Sequence, residues 1–183
     1  MRTPLHLLAL SGSLRAGASN TALLQAAALL APPGVDVTLF DGVGSLPHFN
    51  PDIDQPNGAE LPLTVAELRL RVGEAGGLLI STPEYAHGLP GSFKNMLDWL
   101  VGSTEFPGKP VAILNASPYS VHAPAQLVEV LTTMSARLVP EASISLSLPR
   151  GAALDAAAVV ANPEWASALR AALDAFVRAV RAG

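Results

Sequence analysis

The sequence predicts an α/β fold in which helices cover both faces of a parallel sheet. Five apolar runs alternate with five stretches of helical periodicity along the 183 residues, and this alternation is typical of parallel strands joined by crossover helices. The first and third runs are apolar at almost every position, as expected of strands that are covered on both faces. The predicted strands occupy residues 5–10, 35–40, 78–80, 111–116 and 142–148.

The first predicted strand ends in a loop with the residue types of an anion site. Residues 11–21 are rich in Ser and Gly, contain Arg15, and lead into a predicted helix over residues 20–31 with Asn20 as its candidate N-cap. The free N–H groups and the dipole of a helix N-terminus favour anions. The Walker pattern is absent, and Leu14 stands where the dinucleotide fingerprint has its second glycine. The loop therefore favours a terminal monophosphate such as that of FMN, with an ordinary strand-to-helix turn as the alternative.

The second predicted strand alternates apolar and polar residues, which indicates a position nearer the sheet edge. A long connection follows at residues 41–61, and loops of this length are often functional. We expect it to cover one side of a site or to form an oligomer contact. Apolar residues at helical spacing then predict a second helix over residues 63–74, which Gly76 and Gly77 end.

The third predicted strand opens into a loop rich in Pro and Gly. Tyr85, His87 and the neighbouring glycines offer the flat, semi-rigid surface that a planar ring system requires, although His87 is equally compatible with an exposed loop position. The next helix has Ser92 as its candidate N-cap. Its apolar face consists of Phe93, Met96, Leu97 and Leu100.

The fourth predicted strand ends in a third loop at residues 117–122. Further helices are predicted over residues 123–138 and from Asn162 to about residue 182, with Pro163 at the first helical position. Ligands of such sheets bind at the carboxyl ends of the strands. The loops after the first, third and fourth strands are therefore expected to meet at one site.

Composition excludes several classes of function. Half of the residues are hydrophobic and 14% are charged, which argues against disorder, and the net charge of −4 disfavours nucleic acid as a partner. The absence of cysteine removes disulfides, thiolate catalysis and Fe–S clusters and fits a cytoplasmic location. The four histidines show no metal-ligand spacing, so no metal site is predicted. No apolar stretch is long enough to span a membrane, and the length predicts one domain over residues 1–183.

Two motifs carry a family resemblance. The first is Gly12-Ser13-Leu14-Arg15 with Asn20. The second consists of Pro83-Glu84-Tyr85, Pro90-Gly91, Lys94-Asn95 and Asp98-Trp99. Together they resemble the NAD(P)H-dependent FMN reductase family, a flavodoxin-like group that includes small quinone, azo and chromate reductases. The resemblance covers about residues 5–150.

This resemblance implies a flavodoxin-like three-layer sandwich with strand order 2-1-3-4-5, one bound FMN, and a homodimer or homotetramer. It also implies hydride transfer from NADPH or NADH to flavin N5, and then reduction of a quinone, an azo compound, free flavin or a similar small acceptor. No side chain is assigned as acid, base or nucleophile, because the cofactor performs the reaction. The alternatives are a flavodoxin-type electron carrier, which the modest net charge disfavours, and a flavin-free binding module.

The resemblance also assigns site residues. The FMN phosphate is assigned to Ser11, Ser13, Arg15, Asn20 and Thr21, with Leu14 and Ser19 in the same loop. The flavin ring is assigned to Pro83, Glu84, Tyr85, Ala86, His87 and Gly88, and its pyrimidine end to Ser117, with Tyr119 and Ser120 in that loop.

Two further expectations concern the surroundings of the ring. The third loop lacks the glycines of many relatives, so Tyr119 or His122 is expected to border the acceptor pocket. The helix over residues 93–100 is expected at a subunit contact, with Met96 and Trp99 adding apolar area. Lys94 and Asp98 form either a helix pair or part of that contact.

Overall fold

The computed structural model describes residues 4–54, 61–149 and 154–183. The strands are β1 (Leu5–Ser11), β2 (Val35–Phe40), β3 (Gly77–Ser81), β4 (Pro110–Asn115), β5 (Arg137–Leu138) and β6 (Ile144–Ser145). The helices are α1 (Ser19–Leu29), α2 (Leu63–Glu74), α3 (Gly91–Val101), α4 (His122–Thr133), α5 (Ala156–Ala161) and α6 (Pro163–Ala182).

The sheet is parallel throughout, with the order β2-β1-β3-β4-β5, and β6 also pairs with β4. This order confirms the predicted flavodoxin-like fold. β1 lies between β2 and β3, with Leu7 opposite Val37 of β2 on one side and Gly77 of β3 on the other. The direction of sheet growth reverses between β1 and β3, which opens a crevice beyond their carboxyl ends.

Alternating side chains of β1 divide the core into two layers. Leu7 and Ala9 pack with α1, α5 and α6, whereas Leu8 and Leu10 pack with α2, α3 and α4. This double coverage explains why the first strand is apolar at successive positions. Within the described residues, no helix combines the length and the apolar character that crossing a membrane requires.

The region of the fifth strand differs from the prediction. A single strand was expected over residues 142–148, but β5 and β6 are two-residue strands separated by a 3₁₀ turn at Pro140–Ala142. Proline lacks an N–H group and favours such a break in a strand. The N–H groups of Leu146 and Leu148 still donate to the carbonyl oxygens of Asn115 (2.8 Å) and Ala116 (3.3 Å), so this segment follows β4 without regular pairing.

The helix expected over residues 123–138 ends at Thr133 instead. Ser135 adopts a left-handed conformation with φ of +62°, and the N–H of Ala136 donates to the carbonyl oxygen of Leu131 at 2.9 Å. This closure satisfies carbonyl groups at the helix end and releases the chain toward β5.

Of the three helix N-caps that the sequence predicts, two are wrong and one is confirmed. α1 begins one residue before Asn20, with Ala18 at the N-cap, and α3 begins at Gly91, so Asn20 and Ser92 are not caps. The start of α6 is confirmed, because the Asn162 side chain accepts hydrogen bonds from the N–H groups of Glu164 and Trp165. The short helix α5 was not predicted.

The long connection packs against α3. The carbonyl oxygen of Pro47 accepts hydrogen bonds from Asn95 Nδ2 (2.9 Å) and Trp99 Nε1 (2.8 Å). Met96 and Trp99 are fully buried in this chain, so the expectation that they add apolar area to a subunit contact is wrong. Residues 55–60 of the connection lie outside the described residues.

Candidate functional site

The carboxyl ends of β1, β3 and β4 open into a cavity of about 540 Å³, a volume within the range of small-molecule sites. The three loops that the sequence singles out therefore do meet. Ten predicted residues line this cavity: Ser13, Arg15, Ser19, Asn20, Pro83, Glu84, Tyr85, Ser117, Tyr119 and Ser120. Six lining residues were not predicted: Ala18, Thr82, Asn115, Ala116, Leu148 and Pro149.

The six remaining predicted residues lie beside the cavity. Ser11, Leu14 and Thr21 line a second cavity of about 600 Å³, which shares Ser13 with the first. The hydroxyl groups of Ser11 and Thr21 are 2.8 Å apart, and Ser11 Oγ also accepts the N–H of Ser13 at 3.3 Å. These contacts connect the loop after β1 to α1. The other three predicted residues, Ala86, His87 and Gly88, form a turn at the rim.

The start of α1 provides the donors of an anion site. Ala18 at the N-cap provides no side-chain hydrogen bond, so the N–H groups of the first turn have no cap among the described residues. Asn20 is held by Ser81, whose Oγ donates to Asn20 Oδ1 at 2.9 Å. The exposed Arg15 forms no ion pair within the described part of the chain. The arrangement offers a guanidinium group, hydroxyl groups and backbone N–H groups to a phosphate.

Close packing between Gly12 and Thr82 sets the position of this loop against β3. The Gly12 N–H donates to the carbonyl oxygen of Ser81 at 2.8 Å. A Cβ atom on Gly12 would lie 2.1 Å from Thr82 Oγ1 and 2.6 Å from Thr82 Cβ. Gly12 is therefore required for a close approach between two loops, a reason that the sequence does not reveal.

The loop after β3 is held to α4 by Glu84 and Gln126. Glu84 Oε2 accepts the N–H groups of His122 (2.7 Å) and Ala123 (2.9 Å), and Gln126 Oε1 accepts the N–H of Leu89 (2.8 Å). The Ala123 N–H is the main cause of a pKa below the ordinary value for Glu84, with further lowering from the His122 N–H and the charges of both histidines, while desolvation opposes it. At pH values above the ordinary carboxyl pKa, the lowered pKa of Glu84 stabilises the folded state. This stabilisation is lost as the pH falls through the pKa that Glu84 has in the folded state.

The far side of the cavity is formed by the loop after β4 and by the segment after β6. The Ser120 N–H donates to the carbonyl oxygen of Ser117 at 3.2 Å and closes a turn that contains Pro118. Tyr119 in this turn is 73% exposed and lines the cavity. Ser19 Oγ donates to the carbonyl oxygen of Pro149 at 3.2 Å, which joins the last wall to the start of α1.

The residues present fit FMN. The cavity lining combines the polar and cationic residues Ser13, Arg15 and Asn20 with the flat side chains of Pro83 and Tyr85. A ligand with a terminal phosphate and a planar ring matches this combination.

Comparisons with known proteins agree with this geometry. The family model described as NADPH-dependent FMN reductase matches residues 5–149. The chain is 40% identical over 119 residues to an NAD(P)H-dependent FMN reductase of Pseudomonas aeruginosa and 34% identical over 119 residues to a quinone reductase of Escherichia coli. Each match covers 64% of this chain and 62% of the relative. The matched region thus spans less than two thirds of the length of these relatives.

A solved structure resembles almost the whole chain. It is a flavoenzyme NAD(P)H:(acceptor) oxidoreductase from Paracoccus denitrificans, with a TM-score of 0.83 and 28% sequence identity. The superposition covers 97% of this chain and 98% of the other.

Proposed function

The chain belongs to the NADPH-dependent FMN reductase family, and we propose that residues 1–183 form one domain that binds FMN and transfers electrons from NAD(P)H to a small acceptor. Quinones are the acceptor class that we propose first, because relatives over part of the chain are quinone reductases. The observation that carries the proposal is the meeting of the loops after β1, β3 and β4 around one cavity whose residues fit FMN.

The residues of the chain have separate roles in this proposal. Ser13, Arg15, Ser19 and Asn20 bind the phosphate, together with the N–H groups at the start of α1. Pro83, Glu84 and Tyr85 lie along the ring, with Ala86, His87 and Gly88 completing the turn at its rim. Ser117 contacts the pyrimidine end of the ring, and Tyr119, in the same loop as Ser120, borders the acceptor pocket. Ser11, Leu14 and Thr21 position the phosphate loop from the side of the second cavity.

When bound, FMN would supply the redox chemistry that carries electrons from the nicotinamide to the acceptor. The chain orients the reactants, and no side chain is given the role of acid, base or nucleophile.

The direct experiment measures oxidation of NADPH and of NADH by the FMN-loaded protein with and without benzoquinone. We expect quinone-dependent turnover with at least one nucleotide. A yellow protein that shows no turnover would instead be an electron carrier.

Tyr119 provides a test of acceptor choice. Because Tyr119 lines the cavity while the phosphate donors lie on another loop, Tyr119→Gly is expected to change the relative kcat/KM among quinone, azo and free-flavin acceptors by roughly three- to tenfold. This range corresponds to the loss of one aromatic contact. FMN affinity should change by less than about threefold on the same grounds.

Val121→Gly is the matched control, because it adds the same backbone freedom to the same loop at an exposed residue outside the cavity lining. Steady-state kinetics and an FMN titration are measured on both variants. An unchanged acceptor ranking together with a collapse of FMN binding in Tyr119→Gly would assign the loop to the cofactor and contradict this role.

The proposal extends to assembly and location. We propose a homodimer or homotetramer, supported by the exposed apolar side chains of Tyr85 and Tyr119 in the cavity lining and of Val121 and Val128 at and within α4. Light scattering that gives a monomer at micromolar concentration would contradict the proposed oligomer. Because NAD(P)H is held inside cells, the same proposal places the protein in the cytoplasm, which cell fractionation tests.

A further inference from the structure

Three metal-ligating side chains lie together at the rim of the cavity. One carboxylate oxygen of Glu84 and one ring nitrogen each of His87 and His122 all lie within 4.8 Å of one another. The two imidazole rings are stacked, with centroids 4.2 Å apart and an angle of 24° between their planes. These residues are far apart in sequence, and the fold brings them together where the turn after β3 meets the start of α4.

The backbone holds this arrangement under constraint. Ala86 and His87 both adopt left-handed conformations, with φ of +49° and +59°, inside a turn closed by two 3.0 Å hydrogen bonds between Tyr85 and Gly88. Two successive residues with positive φ are typical of a type I′ turn, where Asn and Gly are usual. Histidine is one of the side chains that adopt positive φ more often than most, and in this turn the His87 ring stacks on His122.

The carboxylate is equally constrained. Two backbone N–H groups of α4 bind Glu84 Oε2, and such contacts orient a metal-ligating carboxylate. Within the described residues, the ring nitrogens of His87 and His122 have no hydrogen-bond partner. Both rings are exposed to solvent and accessible to an ion.

We propose that Glu84, His87 and His122 form a binding site for a divalent transition-metal ion of the Zn²⁺, Cu²⁺ and Ni²⁺ class. Two imidazoles with one carboxylate favour these ions over Mg²⁺ and Ca²⁺, which prefer oxygen ligands alone. Bonds of about 2.0–2.2 Å place two ligands of one ion at most about 4 Å apart. The three ligand atoms already lie within 4.8 Å of one another, and rotation of the two exposed histidine rings out of their stacked arrangement brings them to one ion. The ion links the turn at Tyr85–Gly88 to the first turn of α4.

The test uses the FMN-loaded protein and does not depend on its activity. Zn²⁺ is titrated calorimetrically in phosphate-free buffer into the unsubstituted protein and into His87→Asn, His122→Gln and Glu84→Gln. In His87→Asn the new side chain tolerates the left-handed conformation of that position. In Glu84→Gln the new side chain keeps an oxygen that accepts the α4 N–H groups. His48→Asn is the matched control, since His48 is exposed and outside the cluster.

We expect one Zn²⁺ per chain in the unsubstituted protein and in His48→Asn. Each cluster variant should bind at least about tenfold more weakly, since the loss of a group that merely orients a metal ligand already costs this much. Cu²⁺ should bind more tightly than Zn²⁺, and its EPR spectrum should show coupling to two nitrogens, falling to one in either histidine variant. Zn²⁺ at a hundredfold excess over its Kd should raise Tm by about 5 °C or more.

Several results would overturn the proposal. They are the absence of saturable binding at millimolar Zn²⁺, equal affinities in the unsubstituted protein and the cluster variants, or a Cu²⁺ spectrum without two nitrogen couplings. Circular dichroism of each variant identifies any that fail to fold, and the remaining variants together with the EPR spectrum of the unsubstituted protein still decide the matter.

Discussion

Gly12→Ala is expected to lower the free energy of unfolding by about 1–3 kcal/mol, the usual cost of overpacking, and to weaken FMN binding by about tenfold or more. The added methyl group would lie 2.1 Å from Thr82 Oγ1, 2.6 Å from its Cβ and 3.0 Å from its Cα. Thr82 is buried, and Gly12 is held to β3 through Ser81. The clash can therefore be relieved only by separating the loops after β1 and β3, which together form the cavity.

Urea unfolding and an FMN titration measure the two effects. Gly91→Ala is the matched control, because its Cβ would meet nothing within 4 Å and should change stability by about 0.5 kcal/mol or less. Thr82→Gly removes both side-chain atoms of the clash, so the double variant should be less destabilised than the sum of the single variants. Stability and FMN affinity at the level of the unsubstituted protein in Gly12→Ala would show that the close approach does not position the phosphate loop.

The parallel sheet and the site's location could be predicted because their causes are local in sequence, whereas the strand order was implied by the family resemblance alone. Continuous apolar runs indicate strands buried on both faces, and the alternation with helices sets a parallel sheet. Polar loops that follow such strands must then meet at one edge, as the lining of the cavity by Arg15, Tyr85 and Ser117 shows.

The missed features depend on contacts between distant residues. The apolar character of Met96 and Trp99 is compatible with an interface or with a core. They belong to the core because the segment around Pro47 packs onto α3 and both side chains are buried. Leu148 and Pro149 become a wall of the cavity because their segment runs beside β4 after the break at Pro140. His87 and His122 show no metal-ligand spacing along the chain, yet α4 and the turn after β3 bring their rings into contact.

The phosphate assignment gives the second large effect. Arg15 lines the cavity and forms no ion pair within the described residues, so its charge is available to a bound phosphate. Loss of a charged hydrogen bond costs about 1.5–3 kcal/mol, so Arg15→Ala should weaken FMN binding by roughly 10- to 150-fold. Riboflavin, which has the same ring without the phosphate, should lose almost nothing. Arg178→Ala is the control, since Arg178 is exposed on α6 and does not line the cavity.

The most direct measurement is therefore the Kd of FMN and of riboflavin for the unsubstituted protein, for Arg15→Ala and for Arg178→Ala, followed by flavin fluorescence. We expect one FMN per chain, tighter binding of FMN than of riboflavin, and a loss of most of that difference in Arg15→Ala alone. Equal affinities of the unsubstituted protein for the two flavins, or an equal loss for both in Arg15→Ala, would contradict the placement of the phosphate at the start of α1.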